Sequence, residues 1–379
     1  MTSTDTELFS DEDRLVIEGG SRLLTVDLPA QPNLSPSSDN DCFEGLRVKF
    51  AELLSVSDRR VVLYDTYDAA AQASLEKMQS VSQQSTGQVV GPTIGASSLA
   101  SSCDTGDLKY LAVDVEPDSL GISPRGIAQA IQSESTDIVG VIIAHPFGHP
   151  ANMPVLLEML SGYDLPFVQE CSESFLSSTH DELVGTTGTA SIFSVRESLS
   201  ISHNFINGSS PTIVVFGDNQ EDEFIKHAMD VTRLGCTEDE MQLLSGAAAS
   251  IETRIECRRR LSWELNFRLR GVASIAKMSH ARKIKHNYSS FVLRIRGPGW
   301  RKDVSESILA LNEEGVDFQL AIDPDYSDGY KDFVSDQFPV TDRIVRDSIS
   351  LKLHEGLNEQ HIDIVGKILR KVAVWASKA

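Results

Sequence analysis

The sequence predicts an α/β protein built on a mostly parallel β-sheet with helices on both faces. Seven short apolar runs have the length and residue types of buried strands, and stretches with helical periodicity separate most of them. Strands that alternate with crossover helices are typical of parallel sheets whose two faces are both covered. The chain has 379 residues, of which 41% are hydrophobic, so it can bury one large core and a smaller one.

The elements follow in order along the chain. Residues 1–40 are polar and contain three prolines, which predicts an irregular arm. The seven strands are predicted at residues 59–65, 87–95, 108–115, 136–148, 165–171, 189–195 and 210–218. Helices are predicted at residues 43–56, 68–81, 96–104, 123–133 and 153–164. In such sheets the reactive groups lie at the carboxyl ends of the strands, so we expect the site there.

The last third of the chain has a different pattern. A long helix is predicted at 237–269, followed by a strand at 289–297 and helices at 302–315 and 358–376. The sequence therefore predicts four parts: the arm at 1–40, a large α/β domain at 41–235, a region containing the long interdomain helix at 236–280, and a small α+β domain at 281–379.

The chain is strongly acidic, with a formal net charge of −21. This charge disfavours nucleic acid and anionic membranes as partners and favours a small cationic ligand, or else an acidic surface suited to high salt. No apolar run reaches the about 18 residues that span a bilayer, and the acidic N-terminal stretch does not have the pattern of a secretory or transit signal. We therefore expect a cytoplasmic protein. The five cysteines form no CxxC pair, so we expect no metal site.

Four separated phrases resemble those of one enzyme family, in the same order. Residues 145–174 (HPFGHPANM, a helix, then LPFVQECSES) are similar to H-x-Y/F-G-x-P-A-D/N-M and L-P-V-x-E-D-A-A-Q/H. The others are VGTTG at 184–188 with Phe193-Ser194, EMQLLSGA at 240–247 and ISLKLHEGL at 349–357. The last is similar to L-S-L-P-L-H-P-G-L. The chain thus resembles the DegT/DnrJ/EryC1/StrS sugar aminotransferases, which use pyridoxal phosphate (PLP) and have PLP fold type I, with a seven-stranded sheet and a small C-terminal domain.

The resemblance places a cofactor pocket at nine positions of this chain. They are Tyr67, Asp68, Ile94, His145, Glu170, Glu173, Ser194, Leu199 and Gly235. Ser194 is retained from the family's phosphate ligands. His145 belongs to a turn that is structural in the family, so we expect it to support the fold rather than to bind a metal.

Several pocket positions depart from the family pattern. Glu170 stands where the family has the Asp that pairs with the pyridine nitrogen, and Glu173 stands where it has Gln or His. Tyr67-Asp68 replace the Gly-Thr whose N–H groups hold the phosphate, and aspartate repels a phosphate. Gly235 replaces an Asn that reaches the partner subunit's cofactor.

The family's Schiff-base lysine has no counterpart. No lysine lies between Lys109 and Lys226, and the ungapped register puts Leu199 at the lysine position, with Arg196 or Glu197 there if the register slips. Only a primary amine forms a C=N bond with the cofactor aldehyde. From these departures we expect a chain without PLP.

Three functions remain open on this basis. The first is a pseudoenzyme in sugar or natural-product biosynthesis, either a homodimer or a heteromer with an active paralogue. The second is a PLP-independent enzyme, or a binder of a cationic or sugar-derived ligand, that uses Glu170, Glu173, Asp68 and Glu197 as acidic groups. The third is PLP chemistry: either transamination with a lysine from outside the aligned segment, or a dehydratase reaction with His203 at the lysine position in a slipped register, as in dehydratases of the family.

Overall fold

The computed structural model describes residues 15–16, 42–104, 107–133, 137–201, 210–217, 222–231, 235–277, 283–295, 297, 299–322 and 337–378. Apart from residues 15 and 16, the predicted N-terminal arm lies outside these ranges, as does His203. Among the helices of the described ranges, none is both long enough and apolar enough to cross a membrane.

A seven-stranded sheet forms the centre of the larger part of the molecule, as the sequence predicts. Its strands are β1 (Val61–Tyr64), β2 (Gly87–Pro92), β3 (Leu108–Val113), β4 (Ile138–Ala144), β5 (Phe167–Glu170), β8 (Ala190–Ser194) and β9 (Thr212–Phe216). They lie in the order β1-β9-β8-β5-β4-β2-β3. Only β9 runs against the others, pairing antiparallel with both β1 and β8. The sheet is therefore mostly parallel, and its strands are almost completely buried because helices cover both faces.

The helices that pack on this sheet follow the predicted order. They are α1 (Cys42–Leu54), α2 (Tyr67–Ser82), α3 (Ser97–Asp104), α4 (Pro124–Gln132) and α5 (Met153–Tyr163). Helix α6 (Val195–Ser198) follows β8 and α7 (Glu223–Val231) follows β9. The long helix α8 (Glu238–Arg268) begins with a capping box, in which Thr237 and Glu240 bond each other's backbone N–H groups. This cap fixes the start of α8 within one residue of the predicted position.

A four-stranded antiparallel sheet forms a second core. It has the order β10-β12-β14-β13, with β10 (Ala276–Lys277), β12 (Phe291–Arg294), β13 (Gln319–Leu320) and β14 (Ser348–Leu351). Helices α9 (Val304–Glu313), α10 (Pro339–Asp347) and α11 (Glu359–Ala376) accompany it. A three-stranded sheet joins β11 (Ile284–Lys285) to the hairpin of β6 (Ser178–Thr179) and β7 (Glu182–Leu183). Through β11, this small sheet joins the chain that follows α8 to the hairpin between β5 and β8 of the large sheet.

The N-terminal chain contributes to the second core. Leu15 is 1% exposed and packs in the cluster built by α8, α9 and α11. The N–H of Val16 donates to Glu314 Oε1 at 3.0 Å. The same oxygen accepts a bond from Lys371 Nζ at 2.9 Å, and both charged side chains are nearly fully buried. The buried carboxylate is thus compensated by two donors that are far apart in the sequence.

Candidate active site

The candidate site lies at the carboxyl ends of β5 and β8, which are neighbouring parallel strands. Glu170 is the last residue of β5, and Ser194 is the last residue of β8. Helix α2 begins with Tyr67, directly after β1 and its turn. This is the edge of the sheet at which parallel α/β proteins place their reactive groups, because the strand ends leave side chains and helix N-termini facing one space.

Both carboxylate oxygens of Glu170 are bonded within the chain. Oε1 accepts the N–H of Ser172 at 2.9 Å, and Oε2 accepts the phenol hydroxyl of Tyr67. Glu170 is only 9% exposed. Burial raises the pKa of Glu170 to about 7, and burial together with the Glu170 charge raises the pKa of Tyr67 well above its ordinary value. Tyr67 therefore stays protonated and acts as the donor in this pair.

His145 follows β4 and is hydrogen-bonded to Gln169 of β5 and to Ala151. Its Nδ1 accepts the N–H of Ala151 at 2.9 Å, so its Nε2 carries the proton and donates to Gln169 Oε1, also at 2.9 Å. Burial lowers the pKa of His145 to about 4, which keeps the imidazole neutral. Both ring nitrogens are used within the fold, and this fits a structural role for the turn that follows β4.

The turn after β4 holds Glu173 in place. Glu173 Oε2 accepts the N–H of Phe147 at 2.6 Å, and its backbone carbonyl accepts a bond from Asn287 Nδ2 at 2.8 Å. Gly148 has φ +87°, and a Cβ there would lie 1.9 Å from Asn287 Oδ1. Only glycine fits at this point of the HPFGHP phrase, because any side chain would displace Asn287. Ile94 packs against Phe147 in a buried cluster beside this turn.

The lysine-equivalent position faces the core. Leu199 follows α6, is fully buried, and packs with Val195 in the cluster formed with α1 and α8. By contrast, the side chains of Arg196 and Glu197 are 44% and 38% exposed. The Glu197 carboxylate accepts the Ser194 hydroxyl. Of the three positions that the register allows, only Glu197 is bonded to a residue of the predicted pocket.

Arg254 of α8 fixes this segment. Its Nη1 donates to the Leu199 carbonyl at 2.7 Å and its Nη2 to the Ser200 carbonyl at 3.0 Å. Its Nε donates to Glu355 Oε1 at 3.0 Å. The guanidinium thus satisfies two carbonyls that α6 leaves unbonded at its end, and it holds Leu199 against the core.

Two further cations lie beside the site and were not predicted. Lys352, next to β14, donates from Nζ to Ser290 Oγ at 2.7 Å and to the Ser289 carbonyl at 3.2 Å. Part of the Lys352 side chain is exposed to solvent. Desolvation by the surrounding protein lowers the pKa of Lys352, while the negative charges of Glu173 and Glu197 act to raise it. The sequence contains a feature that could have identified Lys352: this lysine stands where the family phrase L-S-L-P-L-H has its proline.

Arg258 is the second of these cations. It is 3% exposed and donates from Nη1 to Ser200 Oγ at 2.6 Å. Burial, with the nearby Arg254 charge, lowers its pKa to about 10. Helical spacing puts Arg254 and Arg258 on one face of α8, but periodicity alone does not show that this face points at the end of α6.

The start of α2 shows how the remaining pocket positions are placed. The Thr66 hydroxyl caps the helix by accepting the N–H of Ala69 at 3.2 Å. Asp68 is exposed in the first turn. The N–H of Gly235 donates to Asp65 Oδ1 at 2.7 Å, which places Gly235 beside this turn of its own chain. Across the described ranges, His, Cys, Asp and Glu side chains form no group of three that could hold a metal ion.

Residues 66–201 match the model of the DegT/DnrJ/EryC1/StrS aminotransferase family. The matched segment contains β2 to β5, β8 and most of the pocket residues. A relative of this family in Streptomyces fradiae, L-glutamine:2-deoxy-scyllo-inosose aminotransferase, is 32% identical over 85 residues, which are 22% of this chain and 19% of that protein. The sequence match therefore spans about a fifth of the relative.

Solved structures of sugar-modifying proteins and aminotransferases share the fold over nearly the whole chain. DesI, solved in the presence of its TDP-sugar product, is 17% identical with a TM-score of 0.76 and covers 97% of both chains. A putative sugar aminotransferase from Streptococcus pneumoniae in its PLP form is 12% identical with a TM-score of 0.71, over 92% of this chain and 100% of that one. The predicted fold, PLP fold type I with a seven-stranded sheet, is confirmed.

The comparisons correct one prediction. We expected no cofactor from the missing lysine and the altered phosphate-binding residues, and this was wrong. The matching family and the solved structures of this fold point to PLP rather than to no cofactor. Losing one anchoring amine removes the covalent bond to the aldehyde, but it leaves the interactions with the ring and the phosphate to be judged separately.

The described residues offer groups to the ring nitrogen and the phosphate of PLP, but each group has a partner or a charged neighbour within the chain: Tyr67 at Glu170, Glu197 at Ser194, and Asp68 in the first turn of α2. Glu170 is a buried acid at a strand end, as the ring nitrogen requires once Tyr67 moves off it. The N-terminus of α2 and the Ser194 hydroxyl are the groups that would hold the phosphate. When bound, PLP supplies an electron sink for the carbon that bears the amino group. Leu199 has no amine with which the PLP aldehyde could form a C=N bond.

Proposed function

We propose that this chain is a family member that holds PLP without the covalent bond of the aligned lysine and does not carry out ordinary transamination. In this proposal it acts as a partner subunit in amino-sugar or related natural-product biosynthesis. The observation that carries the proposal is the placement of Leu199 in the apolar core, with no lysine between Lys109 and Lys226.

The chemistry behind the proposal is the need for an amine. Transamination requires that a lysine hold the cofactor aldehyde and be exchanged for the substrate amine, and no other side chain forms that bond. Arg196 carries a guanidinium and Glu197 a carboxylate, so neither can replace it. What remains is binding: a buried acid, a helix N-terminus and a hydroxyl, which can hold a cofactor without reacting with it.

The named relatives support the substrate class. One is an aminotransferase of 2-deoxy-scyllo-inosose, and a structure with the same fold was solved in the presence of its TDP-sugar product. Family resemblance implies that two subunits meet at the active site, so we propose a dimer, either of this chain or with an active paralogue. Gly235 offers no side-chain amide to a partner's cofactor, and its N–H is bonded to Asp65. The expected role is therefore to stabilise or regulate the partner.

Borohydride reduction tests whether a covalent bond forms. Wild-type protein incubated with PLP, reduced and peptide-mapped is expected to show no pyridoxyl group on a pocket lysine, because Leu199 offers no amine. Glu197→Lys is expected to gain a pyridoxyl group at position 197, since that side chain lies beside Ser194. Arg196→Lys is the matched control, because Arg196 has a similar exposure and its side chain bonds Glu197 rather than Ser194.

A different outcome of the same experiment would overturn the proposal. Pyridoxyl found on Lys352 of the wild type, together with amino transfer that is lost in Lys352→Met, would show that a lysine from outside the matched segment performs ordinary transamination. If the lysine at position 196 gains as much pyridoxyl group as the lysine at position 197, labelling depends on the exposure of the side chain and not on its place in the pocket.

Mixing with an active paralogue tests the partner role. We expect a mixed dimer on size-exclusion chromatography and an altered rate or thermal stability of the paralogue at equal subunit concentrations. Exclusive self-association, with no change in the paralogue's rate or stability, would rule out the heteromer and leave only the homodimer.

A further inference from the structure

We propose that Tyr67 is an intramolecular competitor of the cofactor: its phenol takes the carboxylate oxygen of Glu170 that the ring nitrogen of PLP would use. This inference concerns regulation of the site in the proposed function and rests on the same assignment of Glu170 to the ring nitrogen. It makes cofactor occupancy depend on whether the Tyr67 side chain lies in the pocket or out of it.

Glu170 is hydrogen-bonded to its own chain through both carboxylate oxygens. Its Oε1 accepts the N–H of Ser172 within its own turn, a bond that the backbone fixes. Its Oε2 accepts the Tyr67 hydroxyl. Each carboxylate oxygen could accept a second bond, but the Tyr67 ring occupies the space in front of Oε2, so an N–H of a heteroaromatic ring reaches this oxygen only by displacing the phenol. A bond between a hydroxyl and a carboxylate is among the stronger ones in proteins, so the displacement lowers the affinity.

The position of Tyr67 in the fold explains why it reaches Glu170. It is the first residue of α2, where the family has the glycine whose N–H faces the phosphate. A side chain at this position starts at the phosphate end of the pocket, and the Tyr67 hydroxyl ends at the acid of β5. The aromatic ring therefore crosses the space between the two groups that hold opposite ends of PLP. A six-membered ring with a donor at its far end imitates the cofactor ring and its protonated nitrogen.

The movable partner in this pair is the tyrosine. Glu170 is anchored in β5 between β4 and β8, and its register is fixed by pairing of Ala144 with Glu170 and of Glu170 with Ile192. Tyr67 lies in the first helical turn, where its ring is partly buried against the apolar cluster of β1 and α2 and its hydroxyl bonds to Glu170. Rotation of the side chain away from β5 would free Oε2 without moving the backbone of either element.

A graded series of variants tests the competition. The probe is pyridoxamine phosphate, which keeps the ring nitrogen and the phosphate but has no aldehyde, so lysines cannot capture it. Tyr67→Phe removes the hydroxyl and keeps the ring, and Tyr67→Ala removes both. We expect Tyr67→Ala to bind the probe at least about tenfold more tightly than the wild type, with Tyr67→Phe in between. Tyr163→Ala, which removes an exposed tyrosine of α5, should bind as the wild type does.

Dissociation constants from ultrafiltration, with thermal unfolding of each variant, decide the matter. Equal constants for the wild type, Tyr67→Phe and Tyr67→Ala would overturn the competition. If Tyr67→Ala does not fold, Tyr67→Phe alone decides: tighter binding than the wild type supports the inference, and equal binding overturns it. Because this readout is free of covalent capture, its failure is distinguishable from a failure of the proposed function, which would show as a pyridoxyl-lysine after reduction.

Discussion

Replacing Leu199 with lysine is expected to destabilise the protein by about 4 kcal/mol instead of restoring an amine to the pocket. Leu199 is fully buried in an apolar cluster. A lysine in such a place loses its hydration, and a fall of about 3 units in its pKa corresponds to about 4 kcal/mol at neutral pH. The prediction is checked by the free energy of unfolding in urea at pH 7.

Two control variants are compared with Leu199→Lys by their free energies of unfolding: Leu199→Met and Glu197→Lys. Leu199→Met keeps the volume and the apolar character, and should cost less than about 1.5 kcal/mol. Glu197→Lys places the same amine on a side chain that is 38% exposed, so it should leave most of the stability intact. If Leu199→Lys is as stable as Leu199→Met, the side chain at 199 reaches solvent and the position opens to the pocket.

The second large effect is a dependence of stability on pH that comes from Glu170. Its pKa rises from 4.5 to about 7 in the folded protein because of burial, with Glu173 adding to the rise and Ser172 and Tyr67 opposing it. Between these two values the folded state holds a proton that the unfolded state releases. The free energy of unfolding should therefore fall by about 3 kcal/mol from this group as the pH rises from 4.5 to about 7, and then level off.

Glu170→Gln should remove this pH dependence. The measurement is the free energy of unfolding of the wild type and of Glu170→Gln between pH 4.5 and about 7. The difference between the wild-type and Glu170→Gln stability curves is informative because His145, with a pKa lowered to about 4 by burial, contributes a slope of opposite sign in both proteins. Glu182→Gln, at an exposed position of β7, is the control for removing a carboxylate. Parallel curves for the wild type and Glu170→Gln from pH 4.5 to 7 would contradict the raised pKa.

Much of the fold could be predicted because its elements are local in the sequence. Runs such as IVGVIIA are apolar throughout and short, which identifies the buried parallel strand β4, and Thr237 with Glu240 marks the start of α8. Strand β14 was missed, since its four residues have no such run and it gains its burial from β12 and β13. The antiparallel direction of β9 was missed as well, because strand patterns carry no direction.

The site was predictable as a list of positions but not as an arrangement. Family phrases located Glu170, Tyr67 and Ser194, yet the bond between Tyr67 and Glu170 joins residues 103 apart in the chain. Whether Leu199 or Glu197 faces the pocket depends on the rotation of α6, which Arg254 fixes from a helix 55 residues away. The prediction of no cofactor was wrong for a related reason: the missing amine and the substitutions at Tyr67, Asp68, Glu173 and Gly235 were read position by position, without the arrangement of the whole site.

The contact of Val16 with Glu314 also has a consequence for how the chain is made. The two residues are 298 positions apart, and Lys371, which donates to the same Glu314 oxygen, lies still nearer the C-terminus. During synthesis the N-terminal segment leaves the ribosome first, but its docking partners emerge almost last. The N-terminal segment therefore reaches its final position only after nearly the whole chain has been translated, so proteolysis near Leu15 should distinguish a nascent chain from a finished one.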